Sequence, residues 1–253
     1  MSFWDRLLST SRVWGFDERQ VRIVFENPTQ RGLIRRTPRG SVDRGGDSCL
    51  GETSGTPREI RNLTLRPILG NEHRRVERVR WADRAWLEPW EATLPVGVAE
   101  TLPSLAEYQR KTDAEVADGI TLPMMIEADG RVIGVVTASN TLRGALYTTT
   151  VGYWIVSDYA GLGISSLAVA AVIDLLLLRL GMHRVEVNIR PENVPSMGLA
   201  RKLGLTEEGL KPRFMHIAGE WADHVGFSID RESLPTGGLV NRIWGVPLRW
   251  QNA

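Results

Sequence analysis

Two short stretches of the chain carry residue types whose spacing suits chemistry. In the first, Val151-Gly-Tyr-Trp-Ile-Val156 leads through Ser157-Asp-Tyr-Ala160 into Gly161-Leu-Gly163 and then an almost wholly apolar segment from Ile164. A strand that feeds a glycine bend opening a helix gathers unpaired backbone N–H groups at the positive end of a helix dipole, which suits a phosphate or pyrophosphate. Glycine matters there because a Cβ would hold the anion away from the amides. The stretch is not a P-loop, having no Gly-Lys-Ser/Thr, and not a dinucleotide fingerprint, since Ser166 stands where the third glycine would be. A plain strand-to-helix turn reads the same way locally. The second stretch is Arg190-Pro-Glu-Asn-Val-Pro-Ser196. Asn193 offers a donor and an acceptor, fit to pair with an amide, and Ser196 presents a hydroxyl three residues on. Pro195 fixes a helix start beside both, and taken alone the two residues read first as caps of that helix. His73, His183, His216 and His224 have no metal-ligand spacing, so structural roles and no metal are expected.

Positioning these groups requires a sheet flanked by helices. Alternation begins a first strand at Ile60 to Pro67, and 3.6-residue periodicity marks helices over Glu72–Trp90 and Ser104–Val116. Period two or solid apolar runs return in Leu122–Glu127, Val132–Ala138 and Thr148–Val156, with Asp129-Gly130 as a hairpin turn. From Ile164 to Leu180 the only polar residues are Ser165, Ser166, Asp174 and Arg179, which places this helix deep against the sheet, with Gly181 ending it. Arg184–Ile189 follows as a strand, Pro195–Leu203 as a short helix, and Phe214–Ile217 with Trp221–Ile229 as a hairpin about Gly219. The order β-α-α-β-β-β-α-β-α-β-β predicts an α/β (α+β mixed) fold, a central mixed sheet with helices on both faces.

Composition bounds the classes. The 253 residues, 42% hydrophobic and 24% charged, are those of a folded globular protein rather than a collagenous, disordered or membrane-embedded one. Thirty-one basic against 30 acidic residues leave a net charge of +1, and no basic run interleaves with aromatics, so nucleic-acid and membrane partners are not expected. The single Cys49, the absence of a signal-like start and the shortness of the apolar run Leu167–Leu178 predict a cytoplasmic protein. Asn27 to Arg58 is rich in Gly, Pro, Arg, Ser, Thr and Asp and predicts a disordered linker. Trp4, Leu7, Leu8, Trp14 and Phe16 before it suit a short helix or docking patch, or an upstream extension from a misplaced start. The expected organisation is an N-terminal extension over 1–59, a domain over 60–231, and a tail over 232–253 without periodic signal.

The arrangement as a whole resembles the GNAT superfamily of acetyl-CoA-dependent N-acetyltransferases. Glycine bend, buried helix, strand, Pro-Glu-Asn-x-x-Ser, Leu203-Gly204 and final hairpin occur in that family's order. Leu87-Glu-Pro-Trp-Glu91, Ile133-Gly-Val-Val136, Gly152-Tyr153, His183-Arg184 and Gly219-Glu-Trp-Ala-Asp-His224 are similar to its branch of ribosomal-protein-alanine N-acetyltransferases, the RimJ type, over residues 60 to 230. The resemblance implies the GNAT acyl-CoA fold, in which Thr148–Val156 and Arg184–Ile189 splay apart. It implies acetyl-CoA as co-substrate, its pantothenate arm paired with the backbone of Trp154, Ile155 and Val156. It places the pyrophosphate on the amides of Ala160, Gly161, Leu162, Gly163, Ile164, Ser165 and Ser166. Ala160 departs from the family's Arg or Gln, and Ser165 from its Gly or Ala, which implies weaker cofactor affinity. Carried over by position, Asn193 bonds the pantetheine amide, Ser196 protonates the departing thiolate, and a backbone N–H near Trp154 or Ile155 serves the oxyanion. A glutamate base of a sister branch falls at Met215 and does not transfer, so Glu91 is the candidate for binding or deprotonating the amine, with a solvated loop carboxylate as the alternative. The implied acceptor is a protein N-terminus, such as that of a ribosomal protein, or a small amine, and the implied assembly is a monomer or homodimer. A degenerate acyl-CoA-binding module is the third reading.

Overall fold

The structure is a computed structural model that describes residues 14, 20–35, 59–95, 97, 103–248 and 250–251. Its strands are β1 (Arg22–Glu26), β2 (Asn62–Pro67), β3 (Leu122–Ala128), β4 (Arg131–Leu142), β5 (Thr148–Ile155), β6 (Arg184–Ile189), β7 (Thr206–Ile217), β8 (Glu220–Asp230) and β9 (Trp250–Gln251). They form one sheet in the order β7-β8-β6-β5-β4-β3-β2-β1-β9. The helices are α1 (Glu72–Ala82), α2 (Arg84–Leu87), α3 (Leu105–Ala117), α4 (Ile164–Asp174), α5 (Val194–Lys202) and α6 (Gly238–Trp244). The mixed sheet and its two-sided helical cover are as the periodicities predict.

Among the described residues every strand pairing is antiparallel except that of β5 with β6, and that pair holds register only over Thr148–Thr150 against Arg184–Glu186. Beyond Thr150 the two strands part. Side-chain alternation sends Tyr153 and Ile155 to the face covered by α4, and Trp154 to the face where Val76 and Val79 of α1 pack on Met125 and Val135. On that second face Glu127 of β3 accepts from Arg66 (2.8 Å) and Arg75 (3.1 Å), while Arg66 also reaches Glu72, which ties the start of α1 to the sheet.

The helix expected over Glu72–Trp90 breaks at Asp83. Its carboxylate accepts from the Ser157 N–H (2.6 Å) and hydroxyl (3.0 Å), so α1 ends where it is latched to the bend after β5. The helix expected over Ile164–Leu180 is α-helical to Asp174 and continues as a π-turn over Leu175–Arg179. Gly181, at φ +70°, ends it as predicted.

Both boundaries of the domain differ from the expectation. Folded structure does not begin at Ile60: β1 pairs antiparallel with β2, and Val21, Ile23, Phe25, Leu33 and Ile34 are core residues. Trp14, also buried, donates its indole N–H to the Val116 carbonyl (2.7 Å). The physical reason is the period-two set Val21, Ile23 and Phe25, which fills the space that Leu63 and Leu65 would otherwise expose. The rest of the expected linker, residues 36–58, and the expected helix-forming residues Trp4, Leu7, Leu8 and Phe16 lie outside the described residues. The segment after Glu232 is likewise no loose tail, because α6 packs on α4 with Leu239 and Val240 fully buried.

One ionisable group makes that packing possible. Asp174, fully buried inside α4, accepts from the N–H groups of Leu239 (2.7 Å) and Val240 (3.0 Å) at the start of α6. A Cβ on Gly238 would lie 2.6 Å from the same carboxylate, which explains the glycine. Burial raises the Asp174 carboxyl to about 6, against the two backbone hydrogen bonds that favour its ionised form. The folded state thus holds this proton more tightly than the unfolded chain, and the group's contribution to stability is lost as pH rises from about 4 to about 6. Over that window the unfolding free energy of the wild type should fall by up to about 3 kcal/mol relative to Asp174→Asn. Urea titrations of both proteins at several pH values measure the difference; a constant difference would refute the assignment.

Candidate active site

The parted strands open onto a cleft of about 720 Å³. Which backbone groups face it follows from the ladder on the other side of β5. The Val156 N–H donates to the Ile133 carbonyl (2.9 Å), and in an antiparallel ladder alternate residues turn both backbone groups the same way. Trp154 therefore spends both of its groups on β4, and Val156 gives its N–H to β4 and its carbonyl to the Tyr159 N–H (3.1 Å), whereas Tyr153 and Ile155 present theirs to the gap. The Ile155 carbonyl already accepts from the Trp86 indole (3.0 Å), which leaves the Ile155 N–H and the Tyr153 backbone for a guest. The backbone roles expected for Trp154 and Val156 are corrected accordingly.

At the mouth of the cleft, Gly161 and Gly163 take φ values of +74° and +87° with open space where a Cβ would stand. Gly163 is the N-cap of α4, whose first amides, those of Ile164, Ser165 and Ser166, have no preceding helical carbonyl to bond. Gly161, Gly163, Ile164, Ser165 and Ser166 all line the cleft, as does Ala160. One of the expected amide donors is already spent. The Ala160 N–H closes a 3₁₀ turn on the Ser157 carbonyl (3.1 Å), while Leu162 buries its side chain in the core.

Asn193 and Ser196 reach the cleft at the start of α5. The Asn193 Oδ1 accepts from the Ser196 N–H (3.2 Å), so Asn193 is the helix cap and keeps its amide N–H₂ as a donor. The capping reading of this stretch thus holds for Asn193. Beside Ser196 stands Tyr153, whose role in a site the sequence did not signal. Its hydroxyl is buried on the cleft wall and meets no described residue in hydrogen-bond geometry, and burial pushes the phenol up to about 12 against the opposing pull of the neighbouring Ser196 hydroxyl.

The opposite wall is built from α1 to α3. Glu91 lines it, held by backbone bonds from Ala218 N–H to its carbonyl (3.0 Å) and from the Thr93 N–H to the His216 carbonyl (3.0 Å), which dock residues 91–93 on the end of β7. Its carboxylate accepts from Arg80 Nε at 2.8 Å, so it is no isolated loop charge. His73, paired with Asp113 (3.1 Å), and Tyr108 complete this wall. Of the other histidines, His216 contacts Thr93, His224 the Ala222 carbonyl and His183 Glu232, and the four do not converge.

Residues 62–206, more than half of the chain, match the family model described as an acetyltransferase (GNAT) domain. The chain belongs to the GNAT family. Among GNAT relatives it is 35% identical over 122 residues to a probable N-acetyltransferase, YjcK, of Bacillus subtilis, an alignment covering 47% of this chain and 65% of that protein. That span is just under two thirds of the relative's length. It is 28% identical over 149 residues to the [ribosomal protein uS5]-alanine N-acetyltransferase of Escherichia coli, covering 56% of this chain and 74% of that one. Among solved structures, Mycobacterium smegmatis RimJ in complex with CoA-disulfide superposes with a TM-score of 0.66 at 33% identity, over 75% of this chain and 91% of that chain.

A buried hydroxyl with no partner destabilises the fold that holds it. Tyr153→Phe should accordingly leave the melting temperature of the ligand-free protein unchanged or raise stability by about 1 kcal/mol. Calorimetric melting checks it; a marked loss would mean that the hydroxyl has an internal partner.

Proposed function

We propose that this GNAT protein transfers an acetyl group from acetyl-CoA to a primary amine, the N-terminal α-amine of a protein such as a ribosomal protein being the leading acceptor. The observation that carries the reading is the gap between β5 and β6, with the Ile155 N–H and Tyr153 backbone turned into it. The fit extends along the cleft: a glycine-rich amide bend for a diphosphate at one end, and an unpartnered buried hydroxyl in the middle. A bound acetyl thioester supplies the acyl group and a thiolate that can leave.

The chain's own residues then have distinct tasks. The Ile155 N–H is placed to donate to a carbonyl oxygen as charge develops on it, an interaction typically worth about 3 kcal/mol. Asn193 donates its amide N–H₂ to a pantetheine carbonyl. Ser196, with the neutral Tyr153 hydroxyl beside it, returns a proton to the thiolate. Glu91, oriented by Arg80, holds the incoming ammonium or takes its proton. An α-ammonium ionises near pH 8, so a modest base suffices. The relatives named for acetylating ribosomal-protein alanine support a protein terminus as acceptor.

Incubation with acetyl-CoA and peptides beginning with alanine should release free thiol and acetylate the peptide α-amine, as read by mass spectrometry. Acetylation of spermidine or an aminoglycoside alone would move the acceptor to small amines, and binding without turnover would reduce the protein to an acyl-CoA-binding module. Ser196→Ala should lower kcat roughly a hundredfold with nearly unchanged cofactor binding, as loss of a proton donor does. Asn193→Ala should raise KM for acetyl-CoA several-fold and, by uncapping α5, lower stability by about 1 kcal/mol. Undiminished turnover or an unchanged KM would remove the respective residue from the mechanism.

A further inference from the structure

The amide bend is not alone at its end of the cleft. Arg35, which lies outside the residues matching the family model, lines the cleft together with Gly161, Gly163, Ser165 and Lys202. Its position is built, not incidental. The Arg35 backbone N–H donates to the Leu162 carbonyl at 2.8 Å, inside the glycine bend itself. Two residues earlier, the Leu33 carbonyl accepts from the Trp244 indole at 2.9 Å, while Leu33 and Ile34 anchor in the core. Lys202, at the end of α5, rests its ammonium over the ring of the same Trp244, 4.9 Å from the centroid. Trp244 thus holds the segment that carries Arg35 and supports Lys202 at one rim.

Both cations are exposed, and among the described residues no carboxylate pairs with either. A guanidinium whose backbone is tethered to an amide-rich bend stands within side-chain reach of a phosphate bound there, and its planar fork suits phosphate oxygens. The unpartnered buried hydroxyl of Tyr153, in the same cleft, independently marks the space as one that a ligand completes. Ala160 offers the bend no side-chain cation of its own.

We infer that Arg35, assisted by Lys202, clamps the phosphates of the nucleotide end of the acyl carrier, so that the segment before the catalytic domain completes the cofactor site. This inference rests on the acetyl-CoA reading above and specifies a residue outside the family match, Arg35, that serves it. The clamp acts on phosphate charge alone and not on the pantetheine arm.

Titration calorimetry on the full chain separates the two claims. Wild-type protein should bind CoA, and Arg35→Ala should weaken that binding roughly tenfold, Arg35→Lys less, with a shallower dependence on salt. Pantetheine, which lacks the phosphates, should bind all variants alike. Lys202→Ala should act in the same sense, and comparison of CoA with 3′-dephospho-CoA tells whether the clamp holds the diphosphate or the 3′-phosphate. Because Arg35 is exposed, Arg35→Gln serves if the alanine variant melts early. CoA binding that is equally tight in wild type, Arg35→Ala and the Arg35→Ala/Lys202→Ala double variant would overturn the clamp while leaving the cofactor reading intact. No CoA binding by wild type would overturn the cofactor reading and the clamp with it.

Discussion

The single parallel pairing in the sheet decides what the rest of the molecule can do. Antiparallel neighbours can follow one another closely, as β3 does along β4 from Leu122 to Ala128, with one register shift, through a two-residue turn with positive φ at Asp129 and Gly130. β5 and β6 are joined instead through α4, and after three residues of register their C-terminal ends diverge. Divergence leaves backbone N–H and C=O groups without a ladder, which in a buried place is unfavourable unless another group pairs with them. The Trp86 indole takes one such carbonyl, and the remaining groups of Tyr153 and Ile155 line an open cleft. The same divergence sets the apolar run of α4 against the sheet with its first amides at the cleft mouth.

Much of this was legible from period and punctuation. The strands β3 to β6 and the hairpin of β7 with β8 show as apolar runs bounded by glycine and aspartate, and the glycines at 161, 163 and 181 mark bends that do require positive φ. Asn193 and Ser196 were visible because they flank Pro195, which fixes a helix start beside both. What could not be read was direction. Whether Trp154 or Ile155 turns its backbone to the gap depends on the phase of a ladder set by β4, and no local residue type encodes that phase. Glu91 is similar: its residue type was a clue, but its pairing with Arg80 depends on where α1 stops, which is fixed by Asp83 bonding Ser157 74 residues away.

The two ends of the chain show a different failure of reading. Val21, Ile23 and Phe25 alternate as a strand should, yet the set is short and is followed by residues poor in apolar character, so composition outweighs period. Its stability comes from β2, which it covers, and from Leu33 and Ile34 closing over the same core. The tail is less readable still. Asp174 stands out as the one acid in a buried helix, and Gly237-Gly238 as a pair with no apparent turn to make, but each explains the other only when α6 is laid on α4.

These end segments change what should count as the functional unit. A domain bounded at 62 and 206 contains the bend, the gap and the hydroxyls, but its phosphate rim would lack Arg35 and the tryptophan that holds it. Since Trp244 bonds Leu33 through its ring nitrogen and supports Lys202 on its ring face, a single side chain from the last helix fixes the first segment and one cation together. Ala160 removes charge from the bend and the rim restores it from elsewhere in the sequence. Affinity for a highly charged ligand depends on charges near it in space, whatever segment supplies them. Loss of a cation inside the motif therefore does not by itself argue for a weakened site, and the terminal segments belong to the chemistry as well as to the fold.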